Sequence, residues 1–332
     1  MGAVLAPDRI LKELSDLWVS LAKPGDGETG AGVLRACSMT LVVLAEESDD
    51  ASALGETLAA LMPEHPARTM MVRLRGGGER VLADRVYAQC WMPFGQRRQI
   101  CSEQVEITAS DSALGDLPPV VLPLVVPDLP LIVWCRSHRM LAMPEFHGIA
   151  AMADKVVMDS AGMTDARTGL RALAAWADRS VLLGDLAWTR LTRWREMLSQ
   201  VFENRAYLDQ LPTVTDVRLS FGADLETSAW YMAGWLVNAL AQIGVHPRVA
   251  VEGTAGTPAP LRVKLSGPSL GVEMMREANR LVVTVNGLSN CTSLSEPNDY
   301  LLMREELGIV RRDEVFEAAL ASAARLAYPT DK

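Results

Sequence analysis

Histidine is scarce in this chain, with four among 332 residues, at 65, 138, 147 and 246. None stands in an HExxH pattern, so a helix-borne zinc hydrolase site is excluded. The five cysteines (Cys37, Cys90, Cys101, Cys135, Cys291) are odd in number and widely spaced, with no CxxC. That pattern argues against a zinc site or a disulfide framework, and the expectation is reduced thiols in a cytoplasm. No serine stands in a recognisable nucleophile elbow, and the glycines at 76–78 lack the GxGxxG and GxxxxGK[ST] patterns of a phosphate-cradling loop. The triple glycine Gly76–Gly78 falls between two strand-like runs, where glycine serves a turn, and "LSGPSLG" (265–271) is read the same way. The most apolar run, Leu117 to Cys135, holds five prolines and Asp128. Proline removes backbone donors, so this is a poor membrane span. No secretory signal opens the chain: Met1 to Pro7 is short, and Asp8, Lys12, Glu13 and Asp16 follow at once. Positive charge is also in deficit: 32 Lys and Arg stand against 41 Asp and Glu, a net −9. A negative surface repels phosphate backbones, which argues against a nucleic-acid partner.

What is present is a large apolar fraction, 49%, with 22% charged residues, ample for a core and suited to two domains. Residues 8–22 place Ile10, Leu11, Leu14, Leu17, Trp18 and Leu21 at helical spacing. Strand-like runs at 33–45 and 68–75, with a helix at 51–63 between them, lead past the glycines into two more runs ending near 107. That series predicts an antiparallel meander. A short helix over 117–126 precedes the buried strand "LIVWC" (131–135), and "KVVMDS" (155–160) is another strand. These elements predict an α/β N-terminal domain with a mixed sheet, residues 1–205. After a polar passage with Pro212, "DVRLSF" and a long helix at 225–244 precede four strand-like runs and two closing helices. Asp224 is a candidate cap for the long helix and Gly244 its stop. The expectation is a smaller α+β domain, 213–330.

Three places invite a functional reading. Asp128 is an acid inside the most apolar stretch; a Pro-flanked turn accounts for it structurally, and pairing with Arg190 or Arg195 is the alternative. Arg136, His138 and Arg139 cluster in the loop after the LIVWC strand, where open α/β sheets bind ligands, and form a possible anion site. "DLAWTRLTRWRE" (185–196) packs two tryptophans and three arginines into twelve positions. Asp185 caps a helix there, and Trp188, Leu191, Trp194, Leu198 and Val201 recur as one apolar face. Core or interface packing accounts for the tryptophans, while Arg190 and Arg195 lie on the flanks. No catalytic set, metal site or cofactor motif is found.

"LPLVVPDLPLIVW" (122–134), "DLAWTRLTRWRE" and "HPARTMMV" (65–72), set along an α/β half, give a chain that resembles the glucose-6-phosphate dehydrogenase assembly protein family, the OpcA type. The likeness covers most of residues 30–205 and continues more weakly to the end. Cys135 stands where the pattern has a second tryptophan. The resemblance implies a non-catalytic cytoplasmic protein that binds glucose-6-phosphate dehydrogenase, promotes its active oligomer and supports the oxidative pentose phosphate pathway, with no nucleic acid or membrane partner. Residues of the type enriched in interface hot spots, Trp188, Arg190, Trp194 and Arg195, are the expected contacts. The alternative is a sugar-phosphate- or nucleotide-binding sensor or enzyme using the loop after Trp134.

Overall fold

The computed structural model describes residues 5–22, 33–92, 99–177, 181–253 and 259–328. The chain forms two compact units, Met1–Met158 with Val181–Leu183, and Asp159–Ser180 with Gly184–Lys332.

In the first unit, α1 (Pro7–Leu21) begins with proline at its first turn, where no N–H is missed, and buries Ile10 and Leu14. Strands β1 (Leu34–Arg35) and β2 (Met39–Glu46), helix α2 (Ala51–Leu61) and strands β3 (Ala67–Arg75), β4 (Leu82–Trp91) and β5 (Ile100–Ser110) follow. Next come α3 (Leu117–Val121), β6 (Leu131–Cys135), α4 (Pro144–Ala150) and β7 (Lys155–Met158). The strand order is β1-β5-β3-β2-β6-β7, then β8 (Leu182–Asp185), whose first two residues belong to this unit. The pairings β1–β5, β5–β3, β3–β2, β2–β6 and β6–β7 are parallel, and β4 on β5 is antiparallel. From β2 the chain builds outward on one side through β3 and β5, then returns to build the other side through β6 and β7. That is the doubly wound arrangement, with its switch point between β2 and β6. β2 and β6 are buried along nearly their whole length, as strands covered on both faces must be.

Two expectations fail here. The runs from 68 to 107 do not form a meander, because β5 lies between β3 and β4, parallel to the first and antiparallel to the second. β3 is buried over eight consecutive residues and so belongs inside the sheet, while the half-exposed β4 suits an edge. The cysteines are not all reduced either: Cys90 and Cys101 stand directly opposite on β4 and β5 and are disulfide-bonded. Strand register brought them together, which spacing along the chain does not reveal. Asp128, expected within an apolar stretch, is exposed in the turn before β6 with φ 62°, a conformation aspartate tolerates.

The second unit is no smaller than the first. It contains α5 (Ala166–Ala177), α6 (Leu186–Thr189), α7 (Thr192–Val201), α8 (Arg205–Leu208), β9 (Asp216–Phe221) and α9 (Glu226–Ala241). Then come β10 (Arg248–Gly253), β11 (Arg262–Ser266), β12 (Gly271–Glu277), β13 (Arg280–Val285), β14 (Leu288–Ser293), α10 (Asp299–Gly308) and α11 (Glu314–Ala327). The sheet runs β10-β9-β11-β12-β13-β14, mixed because β9 and β10 are parallel. Val217, Leu219, Val263, Leu265, Val272, Met274, Leu281 and Val283 alternate onto one buried face. α9 crosses α11 closely at Gly234, where a Cβ would lie 2.4 Å from the Ala319 carbonyl oxygen. Asp224 does not cap α9: it sits in a single 3-10 turn before the helix, and Leu225 holds the cap position without a side-chain bond. Among the described residues no helix is long and apolar enough to cross a membrane, and no His/Cys/Asp/Glu cluster could hold a metal.

Candidate functional site

The switch point is the first place to look, because doubly wound sheets bind ligands at the carboxyl ends of the strands that part there. β2 ends at Glu46, and the loop into α2 reads Glu47-Ser48-Asp49-Asp50, without a glycine. The Asp50 carboxylate accepts the backbone N–H of Ser52 (2.8 Å) and Ala53 (3.2 Å), and Asp49 accepts that of Glu46 (2.8 Å). The helix N-terminus that would receive a phosphate is therefore filled by the chain's own carboxylate.

The predicted basic cluster after β6 faces these acids. Arg139 Nε donates to Glu46 Oε1 at 2.8 Å, and its Nη1 donates to Asp111; the Ser137 hydroxyl also donates to Glu46. Hydrogen bonding to Glu46, ahead of the opposing cost of burial, holds the Arg139 guanidinium even further above its usual range. Arg136 lies 3.6 Å from Asp49 Oδ1, with its guanidinium 5.0 Å from the centre of the Trp134 ring. Arg73, at the end of β3, donates to the carbonyls of Glu47 (3.0 Å) and Asp49 (2.9 Å). His138 is half-buried in a 3-10 turn beside them. A dinucleotide pyrophosphate does not fit this set: the loop offers carboxylates where phosphate oxygens need donors, and Arg136 and Arg139 face carboxylates. The "HPARTMMV" segment contributes architecture, since Arg68 is buried against Glu103 (2.5 Å) and the Leu124 carbonyl (2.8 Å).

In the second unit, "DLAWTRLTRWRE" forms two short helices rather than one, α6 and α7, joined at Arg190–Leu191. Asp185 caps the first, accepting the Ala187 N–H at 2.9 Å. It is fully buried and also accepts from the backbone of Ser160 (3.0 Å), the Ser160 hydroxyl and the Tyr231 hydroxyl (2.6 Å). Desolvation, helped by nearby Asp159, pushes its carboxyl up to about 6. The network continues through Thr189, which donates to buried Glu306 at 2.5 Å. Asp159, Ser160, Tyr231 and Glu306 were not singled out from sequence. The available signal was a carboxylate at the end of each of two apolar strands, Asp159 after "KVVM" and Asp185 after "VLLG".

Trp188 is 3% exposed and packs against Tyr231 and Phe316, ring centres 5.8 and 5.9 Å away. The Arg195 guanidinium lies 3.5 Å from the Trp188 ring centre and donates to the Trp188 carbonyl at 2.7 Å. Burial lowers Arg195 to about 10. Arg190 is gripped by both oxygens of Asp159, each at 2.7 Å, and Trp194 is 6% exposed.

Three clefts meet around the start of α7. The largest, about 640 Å³, is lined by Thr189, Arg190, Arg193, Arg304 and Glu305 among others. A small one of about 100 Å³ lies between Leu191, Trp194, Leu225 and Leu261, and a third of about 390 Å³ runs past Arg193 and Glu196. All three share Leu294 and Ser295, so one rib of chain separates them. Arg190 and Trp194 thus reach cleft walls, while Trp188 and Arg195 support them from within.

Comparison with known proteins follows this division. Residues 59–175 match the glucose-6-phosphate dehydrogenase subunit N-terminal domain, and residues 182–320 the C-terminal domain of the same subunit. A protein of Synechocystis sp. provisionally named OxPP cycle protein OpcA is 21% identical over 229 residues, covering 66% of this chain and 47% of its own length. Its namesake in Nostoc punctiforme is 23% identical over 141 residues, covering 42% of this chain and 30% of its own. The chain therefore spans less than half the length of these curated relatives. Among solved structures, a dehydrogenase from Chromobacterium violaceum superposes with a TM-score of 0.51 at 12% identity, over 88% of this chain and 94% of that one. At that identity the likeness is one of fold, and it agrees with the doubly wound first unit. Both domain matches, in order and together spanning most of the residues, establish that the chain belongs to the OpcA family of glucose-6-phosphate dehydrogenase subunits.

Proposed function

We propose that this protein is a non-catalytic assembly and allosteric factor that binds glucose-6-phosphate dehydrogenase in the cytoplasm and promotes its active oligomer, supporting the oxidative pentose phosphate pathway. The observation that carries this reading is the match to both domains of the dehydrogenase subunit family. The switch point supports the non-catalytic half of the proposal, since Asp50 occupies the α2 N-terminus and Glu46, Asp49 and Asp111 face Arg136 and Arg139. For the contact we propose the α6–α7 surface: Arg190 and Trp194 line its clefts, and Trp188 and Arg195 fix their positions. The test mixes the purified chain with the dehydrogenase of its own organism. A complex on analytical ultracentrifugation, a shift in the dehydrogenase oligomer and a rise in its activity are expected. Absence of all three overturns the proposal.

A further inference from the structure

The sheet of the second unit ends on two unlike edges. β10 carries exposed Arg248 and Glu252, charges of the kind that keep an edge from pairing with another chain. β14, Leu288-Ser289-Asn290-Cys291-Thr292-Ser293, has no charge, no proline and no break in its register with β13, and all six residues are exposed. Among the described residues no strand pairs with its outer side. The turn Asn286–Gly287, with both residues at positive φ, makes Val285 and Leu288 a hydrogen-bonded pair. Such pairs alternate along the strand. Leu288, Asn290 and Thr292 therefore turn their N–H and C=O groups toward β13, while Ser289, Cys291 and Ser293 turn theirs outward. The Leu294 N–H, bonded to the Asn279 carbonyl at 2.8 Å, keeps the same parity.

We infer that β14 pairs antiparallel with β14 of a second copy of this chain, about a two-fold axis at Cys291, joining two sheets into one. This register sets the outward residues against one another, Cys291 facing Cys291 and Ser289 facing Ser293, so each facing pair exchanges two main-chain hydrogen bonds. It also matches the side chains. On the outer face the row Met275, Val282, Cys291 meets its own copy, apolar against apolar, and hydroxyl meets hydroxyl at Ser289 and Ser293. On the buried face Asn290 meets Thr292, and Leu288 meets Leu294. Leu288 is 71% exposed in the single chain, whereas Leu294 is buried. The cleft of about 390 Å³ walled by Met197, Gln200, Thr292 and Leu294 lies where Leu288 of the second copy enters. A shift of two residues either way leaves one outward residue without a facing partner in the strand and sets Leu288 against Thr292 or Glu296. A shift of one opposes outward groups to inward ones. A patch complementary to itself is what a two-fold contact requires, and a strand without charge lets two copies meet although each carries −9. One strand pair is a small interface, so the dimer forms and separates with concentration.

The test follows the oligomeric state of the full chain alone by sedimentation velocity, from about 1 μM to about 200 μM. A dimer that grows with concentration is expected. Ser289→Glu with Ser293→Glu sets carboxylates against each other across the seam and should weaken the dimer about tenfold or more. Ser289→Lys with Ser293→Glu sets opposite charges there and should restore it. Both positions are exposed, so neither change touches the core. Facing Cα atoms of a hydrogen-bonded pair lie about 5.5 Å apart. A short bismaleimide should therefore link wild-type dimers through Cys291, which is free and exposed, and fail with Cys291→Ser. A chain monomeric throughout, a dimer equally stable in both charged variants, or a dimer not linked through Cys291 overturns the inference. If β14 amides slow in exchange only when the dehydrogenase is added, the edge belongs to the dehydrogenase; the inference then falls and the proposed function stands.

Discussion

Replacing Asp185 with asparagine separates two roles of one carboxylate, because the cap needs an oxygen while burial opposes a charge. Asp185 titrates at about 6 in the folded chain against an ordinary 3.8, chiefly because burial disfavours the ionised form. The native state therefore holds its proton more tightly than the unfolded state does. Between pH 4 and 6 the unfolded chain has lost this proton and the folded chain has not, so this group's contribution to stability falls as pH rises. Above about pH 6 both states are ionised and the loss is complete, at about 3 kcal/mol from a shift of that size. The substituted amide keeps an oxygen for the N–H groups of Ser160 and Ala187. Its NH2 group would face the hydroxyls of Ser160 and Tyr231, each of which can rotate to accept. Asp185→Asn should thus be as stable as the wild type or about 1–2 kcal/mol more stable at pH 7.5, after allowance for imperfect hydrogen bonds. Its advantage should shrink by about 3 kcal/mol on going down to pH 4. Urea unfolding at dilute protein concentration, at several pH values for both proteins, gives this difference directly and cancels every other titrating group. The reasoning is refuted if the gap between them does not change with pH, or if Asp185→Asn loses more than about 2 kcal/mol at pH 7.5.

Arg190→Ala strips Asp159 of its bidentate partner; a loss of about 1–2 kcal/mol is expected, and the double-mutant cycle with Asp159→Ala should show a coupling near 1 kcal/mol, whereas zero coupling would show the pair to be energetically idle. Reducing Cys90–Cys101, or substituting Cys90→Ser, reopens a loop of separation 11, so the urea midpoint should fall by the equivalent of about 3 kcal/mol, and an unchanged midpoint in reductant would count against a stabilising role. Because carboxylates occupy the phosphate position at the switch point, neither NAD nor NADP at millimolar concentration should raise the melting temperature, and a clear shift with either would reopen the catalytic reading.

Much of this was readable in sequence wherever a residue's local pattern matched its final environment. The period of Trp188, Leu191, Trp194, Leu198 and Val201 announced burial; the first four are buried, and Val201 at the end of α7 is half-buried. The apolar "LIVWC" run announced a strand covered on both faces. The glycines at 76–78 marked a turn between strands, where Gly77 takes φ 123°. The failures share a different cause, since each depended on a neighbour distant in the chain. β4 and β5 read as successive strands of a meander because nothing local records that β3 pairs with β5. Cys90 and Cys101 meet only through that same register. β14 passed unnoticed because "LSNCTS" lies wholly exposed at a sheet edge and carries no apolar alternation. Its signal was the turn before it, Asn286-Gly287, both at positive φ, the residues a two-residue hairpin demands.

The candidate site repeats the lesson in charge. Arg136 and Arg139 after a central strand look like anion ligands in isolation, and arginine and tryptophan along a helix look like a grip for phosphate or base. The geometry depends on what each guanidinium meets. At the switch point they meet Glu46, Asp49 and Asp111, supplied by loops far away in sequence, and the cluster closes upon itself. Around α7 the arginines are likewise engaged, Arg190 by Asp159, Arg195 by Trp188 and the exposed Arg193 by Glu196 at 3.0 Å. A fold whose cofactor position is filled by its own carboxylates can still recognise a partner through such a surface. Recognition then needs no catalytic group, only a fixed Arg190 and an apolar recess at Trp194.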